Sequence, residues 1–448
     1  MSKRGSTTIW LFCLALFSST GFAQAPGAIH ELSIQQAVEY AHKNNVQVKN
    51  ALLDISIQQQ SNRDITSAAL PSVTGSIGAT DYLKIPTSLL PGEVFGQPRG
   101  TYIPVQFGTK YNSTASIQLQ QLLFDGQVFI GLQARATSLE WRKKSAEVTE
   151  EAIKTNIYKI YYQLVVSKTQ IALLDANINR LNKLDHDTRE LYKNGFAEKL
   201  DLDKIAVQVA NLQTEKTKAL NNIDIGYLGL KTLMGMPIKD SLVLTEKITD
   251  DQIKEDFTND SSYQYFDRKE FQYLQLAKKL NEFNIKRYKL SYFPTLSLTG
   301  AYSKNAQRNE FDFFGKGDWF TTSYVGLNIS IPIFDGFAKD SRIKKSRMEL
   351  TQTNNQIDNL QLSIDNEVAQ ARINFRSAIS TMNYQKKNMD LAEDVYNQTK
   401  KKYEIGSGSN TEITSAQTDL VTAQTNYINA LYTAIIAKVD YLKAIGKL

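Results

Sequence analysis

Two rhythms of apolar and polar positions alternate along the chain. Leu296, Leu298, Gly300 and Tyr302 fall on one side of a period-two pattern, with Thr295, Ser297 and Thr299 on the other. Val325, Leu327, Ile329 and Ile331 oppose Gly326, Asn328 and Ser330, and Ala115, Ile117 and Leu119 oppose Thr114, Ser116, Gln118 and Gln120. A weaker run puts Val73, Ile77 and Ala79 on one side. Successive side chains of a strand point to opposite faces, so these runs predict strands at about 72–84, 111–124, 295–304 and 322–334, each with one apolar and one polar face. Elsewhere apolar positions step by three and four: Ile153, Ile157, Ile160, Leu164 onward to Leu181, and Ile357, Leu360, Ile364 onward to Met382. That period predicts helices packed as in coiled coils. No proline interrupts Gly126–Tyr192 or Gly336–Tyr403. A single helix of that length runs ~100 Å at about 1.5 Å per residue.

The pattern occurs twice. Phe124-Asp125-Gly126 returns as Phe334-Asp335-Gly336, offset by 210, and YKNG (Tyr192–Gly195) returns as YEIG (Tyr403–Gly406), offset by 211. Asp201 and Glu412 share the second offset, as do Gln213-Thr214 and Gln424-Thr425. With the dipeptides Leu70-Pro71 and Phe293-Pro294, offset by 223, five features in one order indicate internal duplication. The reading gives a first repeat at 30–234, a connector at 235–262 and a second repeat at 263–448. Each repeat starts with a helix, Ser33–Ala69 or Gln264–Tyr292, which ends before the dipeptide Leu70-Pro71 or Phe293-Pro294. A strand, a loop and a second strand follow, then a very long helix, a glycine turn and a returning helix. The first repeat is longer because of the Pro/Gly-rich Ile85–Pro104, read as a loop. In the connector, Leu242–Leu244 is strand-like.

Composition narrows the class. Of 448 residues, 42% are hydrophobic and 22% charged, which suits neither a disordered chain nor a helical membrane protein. Lys3 and Arg4 followed by Ile9–Phe17 read as a secretory leader at 1–23, with a second cleavage point after 25. Its removal takes Cys13, the sole cysteine, so disulfides and Cys-based metal sites are excluded. The net charge falls from +6 to +4, spread over the chain, which does not make a nucleic-acid patch.

Two separated hairpins cannot form a stable sheet alone, nor close a barrel. The simplest remedy is several copies donating hairpins to a shared membrane barrel, apolar face to lipid. Aromatics near the strand ends (Tyr82, Tyr102, Phe107 and Tyr111; Phe311, Phe313, Phe314, Trp319, Phe320 and Tyr324) suit an interfacial girdle. The repeated FDG then marks the strand-to-helix hinge. Phe124 and Phe334 anchor at the boundary, Asp125 and Asp335 cap the helix, and Gly126 and Gly336 permit the bend.

On these features the chain resembles the TolC-family outer-membrane efflux proteins. The resemblance rests on the duplicated plan, the paired FDG hinges, the two Y-x-x-G turns and the closing stretch NYINALYTAIIAKVDYLKAIGKL (Asn426–Leu448). It implies a mainly α fold with a membrane β-barrel contribution. Three copies would form a twelve-strand barrel in the outer membrane, continuous with a twelve-helix periplasmic α-barrel. It also implies a passive exit duct for small molecules or polypeptides. The implied partners are the sister copies, outer-membrane lipid, a periplasmic adaptor and an inner-membrane transporter, without nucleic acid.

The resemblance places Gly195 and Gly406 at helix tips that line the periplasmic entrance and dock the adaptor. YEIGSGSNTEITSAQ (Tyr403–Gln417) is similar to the family pattern Y-x-x-G-x-x-x-x-x-D-V-L-x-A, with Glu412 at the acidic position and Asp201 at its counterpart. Tyr403 matches a tyrosine that helps hold the entrance shut in relatives. The pattern is not complete, because Ser415 and Gly408 stand where some relatives carry an acid and a base. Near a helix start, Glu412 and Asp201 also suit capping. His30, His42 and His186 are scattered, and GSGSNT (Gly406–Thr411) lacks the ending of a phosphate loop. No enzyme, cofactor or metal site is therefore expected. The competing reading is a periplasmic coiled-coil scaffold linking envelope layers, which would have no use for amphipathic strands.

Overall fold

The computed structural model describes residues 28–246, 253, 263–315 and 317–448. The leader at 1–23, with Lys3, Arg4 and Cys13, and most of 247–262 of the connector lie outside the described residues.

The first repeat runs β1 (Ile29–Leu32), α1 (Ile34–Asn44), α2 (Val46–Ser67), β2 (Ser72–Asp81), β3 (Thr87–Pro91), β4 (Tyr102–Gln106), β5 (Tyr111–Phe124), α3 (Gly126–Lys193) and α4 (Lys199–Met234). After β6 (Ser241–Leu244) the second repeat runs α5 (Lys269–Leu290), β7 (Thr295–Arg308), β8 (Phe320–Ser330), α6 (Ala338–Glu404) and α7 (Asn410–Ala444). The helices α3 and α6 are 68 and 67 residues long.

The expected helix over 33–69 is two helices. Asn45 turns out of the helix at ψ 131°, and its side-chain oxygen accepts from the backbone N–H groups of Gln47 (2.7 Å) and Val48 (3.1 Å). One asparagine thus ends α1 and caps α2, a local competition that apolar spacing does not register. The segment read as a loop, Ile85–Pro104, contains most of the hairpin β3–β4, closed by a 3-10 turn at Gly92–Phe95. In the second repeat, β7 extends to Arg308, beyond the expected limit at 304. β8 spans 320–330 and stops short of 334. Pro332 has no N–H to donate, so the ladder ends before it.

The two FDG stretches are built differently. Asp125 caps α3, its Oδ1 accepting from Gln127 N at 2.7 Å, and the helix starts at once with Gly126. Gly126 is needed for close packing: a Cβ there would lie 2.6 Å from Leu290 Cβ and 3.0 Å from Leu290 O. In the second repeat Gly336 (φ +64°) and Phe337 (φ +63°) both adopt the left-handed conformation, and α6 starts only at Ala338. Asp335 Oδ2 reaches forward to Lys339 N at 2.9 Å. Freedom to bend is therefore used at Gly336 and close approach at Gly126.

The four long strands form one antiparallel sheet in the order β2-β5-β7-β8. The neighbouring helices α2, α3, α5 and α6 stand side by side in the same order. Farther from the sheet the order is α4, α3, α7, α6. Apolar cores lie in succession along this body. One gathers Ile157, Tyr161, Leu164, Leu230 and Met234; another gathers Leu181, Ile205, Ile413 and Leu420 near the helix tips; a third gathers Ile364, Phe375 and Ile445. At mid-height β1 and β6 form a parallel ribbon, fixed to α3 by Tyr161, whose hydroxyl donates to Leu32 O (2.9 Å) and accepts from Glu246 N (3.2 Å).

Arg268 ties the start of the second repeat to its end. Its side chain, 3% exposed, donates to Glu367 Oε2 (3.0 Å), Glu270 Oε2 (3.3 Å) and the Ala444 carbonyl (3.1 Å). Burial pushes the Glu270 carboxyl up, but its own backbone N–H, Arg268 and Lys443 outweigh this and hold it below its ordinary value. Burial and the neighbouring Glu270 raise Glu151.

Two outcomes follow. Gly126→Ala should separate α3 from α5 and lower the unfolding midpoint, whereas Gly131→Ala, whose Cβ would meet only Ile65 at 3.4 Å, should cost far less. Arg268→Gln should destabilise by about 1–3 kcal/mol in chemical denaturation. The Glu270 contribution is complete above the unfolded carboxylate value and is lost as pH falls through the lowered folded one. The variant should accordingly lose stability less steeply than the parent on acidification.

Candidate functional site

Two features have no partner within the chain: the sheet and the helix tips. The sheet register aligns Val73, Leu119, Gly300 and Val325 across all four strands, so the apolar sides predicted separately coincide on one face. That face is open, with Ile77 87% and Val325 78% exposed. The other face is polar and uncharged. Ser76, Ser116, Ser303 and Thr322 make a complete row of hydroxyls, and Thr114 donates to Asn305 Oδ1 at 2.8 Å. β2 and β8 are the outer strands, and each leaves one side of its backbone without a strand neighbour.

The edge helices repeat this. Apolar side chains of α4 (Val207 and Ile225) and α6 (Leu362, Ile373 and Leu391) are exposed. At every level one edge belongs to the first repeat and the other to the second.

At the far end, both tips end in the same cap. The Gly195 and Phe196 N–H groups donate to Tyr192 O and Leu191 O; those of Gly406 and Ser407 donate to Tyr403 O and Lys402 O. Gly195 (φ +79°) and Gly406 (φ +75°) supply the left-handed residue this cap needs. Asp201 and Glu412 are both third residues of capping boxes. Asp201 Oδ2 accepts from Glu198 N at 3.3 Å, and Glu412 Oε2 accepts from Ser409 N at 3.4 Å. The Gln208–Thr418 hydrogen bond (3.2 Å) sets the first turns of α4 and α7 at one level. Tyr403 reaches across from α6, and its hydroxyl shares a 3.0 Å hydrogen bond with the fully buried Thr188 of α3.

Above this bond lies a buried amide network that apolar periodicity does not reveal. Asn177 Nδ2 donates to Gln424 Oε1 (2.7 Å), and Asn177 Oδ1 accepts from Gln417 Nε2 (3.1 Å) and from Arg180 (2.9 Å). The one visible signal is position: Asn177 sits within the apolar sequence Leu174, Ile178, Leu181 of α3. The histidines are apart. His30 pairs with Asp240 (3.2 Å) and packs edge-on against Tyr40, and His42 pairs with Glu150 (3.1 Å). Among the described residues no cluster of three or more His, Cys, Asp or Glu is placed to hold a metal.

An open-edged amphipathic sheet on a long helical body defines the fold of a TolC-type outer-membrane channel subunit. The crystal structure of the outer membrane protein VceC from Vibrio cholerae superposes with a TM-score of 0.71 at 14% identity, covering 92% of this chain and 96% of that one. The recognition of a TolC-family outer-membrane efflux protein is borne out, and residues 272–447 match the family model described as outer membrane efflux protein. The chain is 21% identical over 417 residues to the outer membrane efflux protein BepC of Brucella suis biovar 1 (strain 1330), covering 92% of this chain and 85% of BepC. It is 20% identical over 361 residues to the outer membrane protein TolC of Escherichia coli (strain K12), covering 76% and 71%.

Tyr403→Phe should leave Thr188 without its partner and cost the tip about 0.5–1.5 kcal/mol. Hydrogen exchange should quicken at the ends of α3 and α6 but not around Tyr161. Equal protection in both proteins would show that the bond does not hold the tip.

Proposed function

We propose that the chain is the outer-membrane channel component of a tripartite efflux or type I secretion system. It is a passive duct, and an inner-membrane pump drives its cargo. The observation that carries the reading is the sheet, with an aligned, exposed apolar face, an uncharged polar face and two open edges. In hydrocarbon every backbone N–H and C=O must be paired, so strands span a membrane only in a closed barrel. Three copies joined β8 to β2 would give twelve antiparallel strands, within the range of outer-membrane barrels. The hydroxyl and amide face then lines a wet lumen, and the helices below, in the same order as the strands, continue the wall into the periplasm. A scaffold linking envelope layers has no use for the exposed apolar face.

Export through such a duct needs no bond chemistry. It needs a closable mouth, which we place at the tips. Tyr403 holds α6 to α3 there, and Gly195 and Gly406 shape the turns that meet the adaptor. Asp201 and Glu412 already cap their helices, yet Glu412 remains exposed. Threefold repetition of these acids makes a ring that attracts cations.

Purified protein should conduct in planar bilayers, and a protein that never conducts contradicts the reading. Glu412→Ala should lower the preference for cations over anions without abolishing conductance, and Asp201→Ala should act in the same direction. Unchanged reversal potentials would remove both residues from the entrance.

A further inference from the structure

The lipid-facing row of β7 ends in positive charge. Leu296, Leu298, Gly300 and Tyr302 are followed on the same face by Lys304 and Arg308. The register sets Lys304 between Ala115 and Thr321, and Arg308 opposite Tyr111. Eight residues separate Leu296 from Lys304, about 26 Å of strand. Membrane barrels carry an apolar band about 25 Å tall. Ile331 and Ile333 continue the exposed apolar surface on the helix side and offset the height lost to strand tilt. Lys304 therefore falls at the outer margin of the band, where the cost of a lipid-facing ammonium fades.

Around it the structure builds a rim. Lys110 Nζ lies 4.9 Å from the centre of the Tyr111 ring, and Phe311 packs edge-on against that ring at 5.7 Å. The Arg308 guanidinium stacks on Phe313 at 5.4 Å, and Phe313 neighbours Trp319. Four acids belong to this rim: Asp81 opposite Tyr111, Asp312 at 4.0 Å from Arg308, and the exposed Glu310 and Asp318 of the same loop. Lys304 makes no ion pair among the described residues, and neither terminal nitrogen of Arg308 has a hydrogen-bond partner there. Lys304, Lys110 and Phe311 are exposed at the end of this apolar stave, while the Arg308 side chain is 12% exposed with its terminal nitrogens buried, and such aromatic and cationic residues match the level of lipid headgroups.

We propose that this rim binds the phosphate groups of outer-leaflet lipid, with Lys304 as the exposed contact and Arg308 behind it. The inference rests on the membrane-channel reading. Lys304 snorkels from the edge of the band to the phosphate, and the Phe311–Trp319 cluster holds the loop against the acyl boundary. An exposed lysine close to a membrane surface attracts anionic headgroups even beside acids that its reach carries it past.

The test uses the purified full chain in phosphatidylcholine vesicles containing either bis-phosphorylated lipid A or its dephosphorylated form. The phosphorylated form should be retained more tightly, as counted by native mass spectrometry after extraction. Lys304→Gln should weaken that retention about fivefold, the factor one lysine near a charged surface supplies. Lys304→Arg should restore it, and free inorganic phosphate should not compete at matched concentration. Arg308→Gln should add to the loss; should it misfold, the exposed Lys304 still decides. Equal retention of both lipids, or an unchanged Lys304→Gln protein, overturns the proposal. Conductance in the same vesicles separates the two failures. A conducting protein indifferent to phosphate overturns this inference alone, and a protein that never inserts overturns the channel reading with it.

Discussion

The rest of the structure depends on unpaired backbone at the two edges of one sheet. β2 and β8 each present a row of N–H and C=O groups with no strand beside them, on a sheet whose one face is exposed and apolar. In water such an edge invites aggregation, and in hydrocarbon it is prohibitive. Charges, prolines or a covering helix would blunt it, but the long strands carry little of these. Pro332 lies just past the end of β8, and Lys304 and Arg308 sit on β7, an inner strand. Pairing the two edges with those of sister copies, as proposed above, would remove the exposed backbone.

The helical body obeys the same constraint. Because α2, α3, α5 and α6 keep the order of the strands they adjoin, the proposed closure of the sheet would also close the helices. The packing within the chain serves this register. Gly126 lets α3 approach α5 directly beneath the sheet, Arg268 fixes the second repeat at mid-height, and the Asn177–Gln417–Gln424 network fixes α3 against α7. Apolar contacts alone are tolerant of sliding, whereas buried amides must find their partners. Near the tips the seam between the repeats thus combines the apolar cluster of Leu181, Ile413 and Leu420 with polar groups that fix its register.

Much of this was legible in the sequence, for physical reasons. Period-two alternation in Leu296–Tyr302 and Val325–Ile331 reports a sheet with unlike faces, and duplication of FDG and Y-x-x-G reports two copies of one plan. What escaped was set by single side chains or by distant pairing. Asn45 breaks a helix through its own amide. β1 exists only because it pairs with residues some 212 away, Ile29 with Ser241, at the strand-like stretch the sequence shows at Leu242–Leu244. The two FDG stretches look equivalent, yet the neighbours decide: Leu290 presses on Gly126, while Pro332 ends β8 before Gly336. Asp201 and Glu412 were legible as acids at helix starts, and the capping boxes account for their local geometry. A role at an entrance depends on copies of the chain that one sequence does not contain.

The most direct test is the mass of the purified chain in mild detergent, by light scattering or native mass spectrometry. A discrete assembly of three copies that needs detergent to stay dispersed is the expected result. A well-folded single chain, stable in water without detergent, would contradict it.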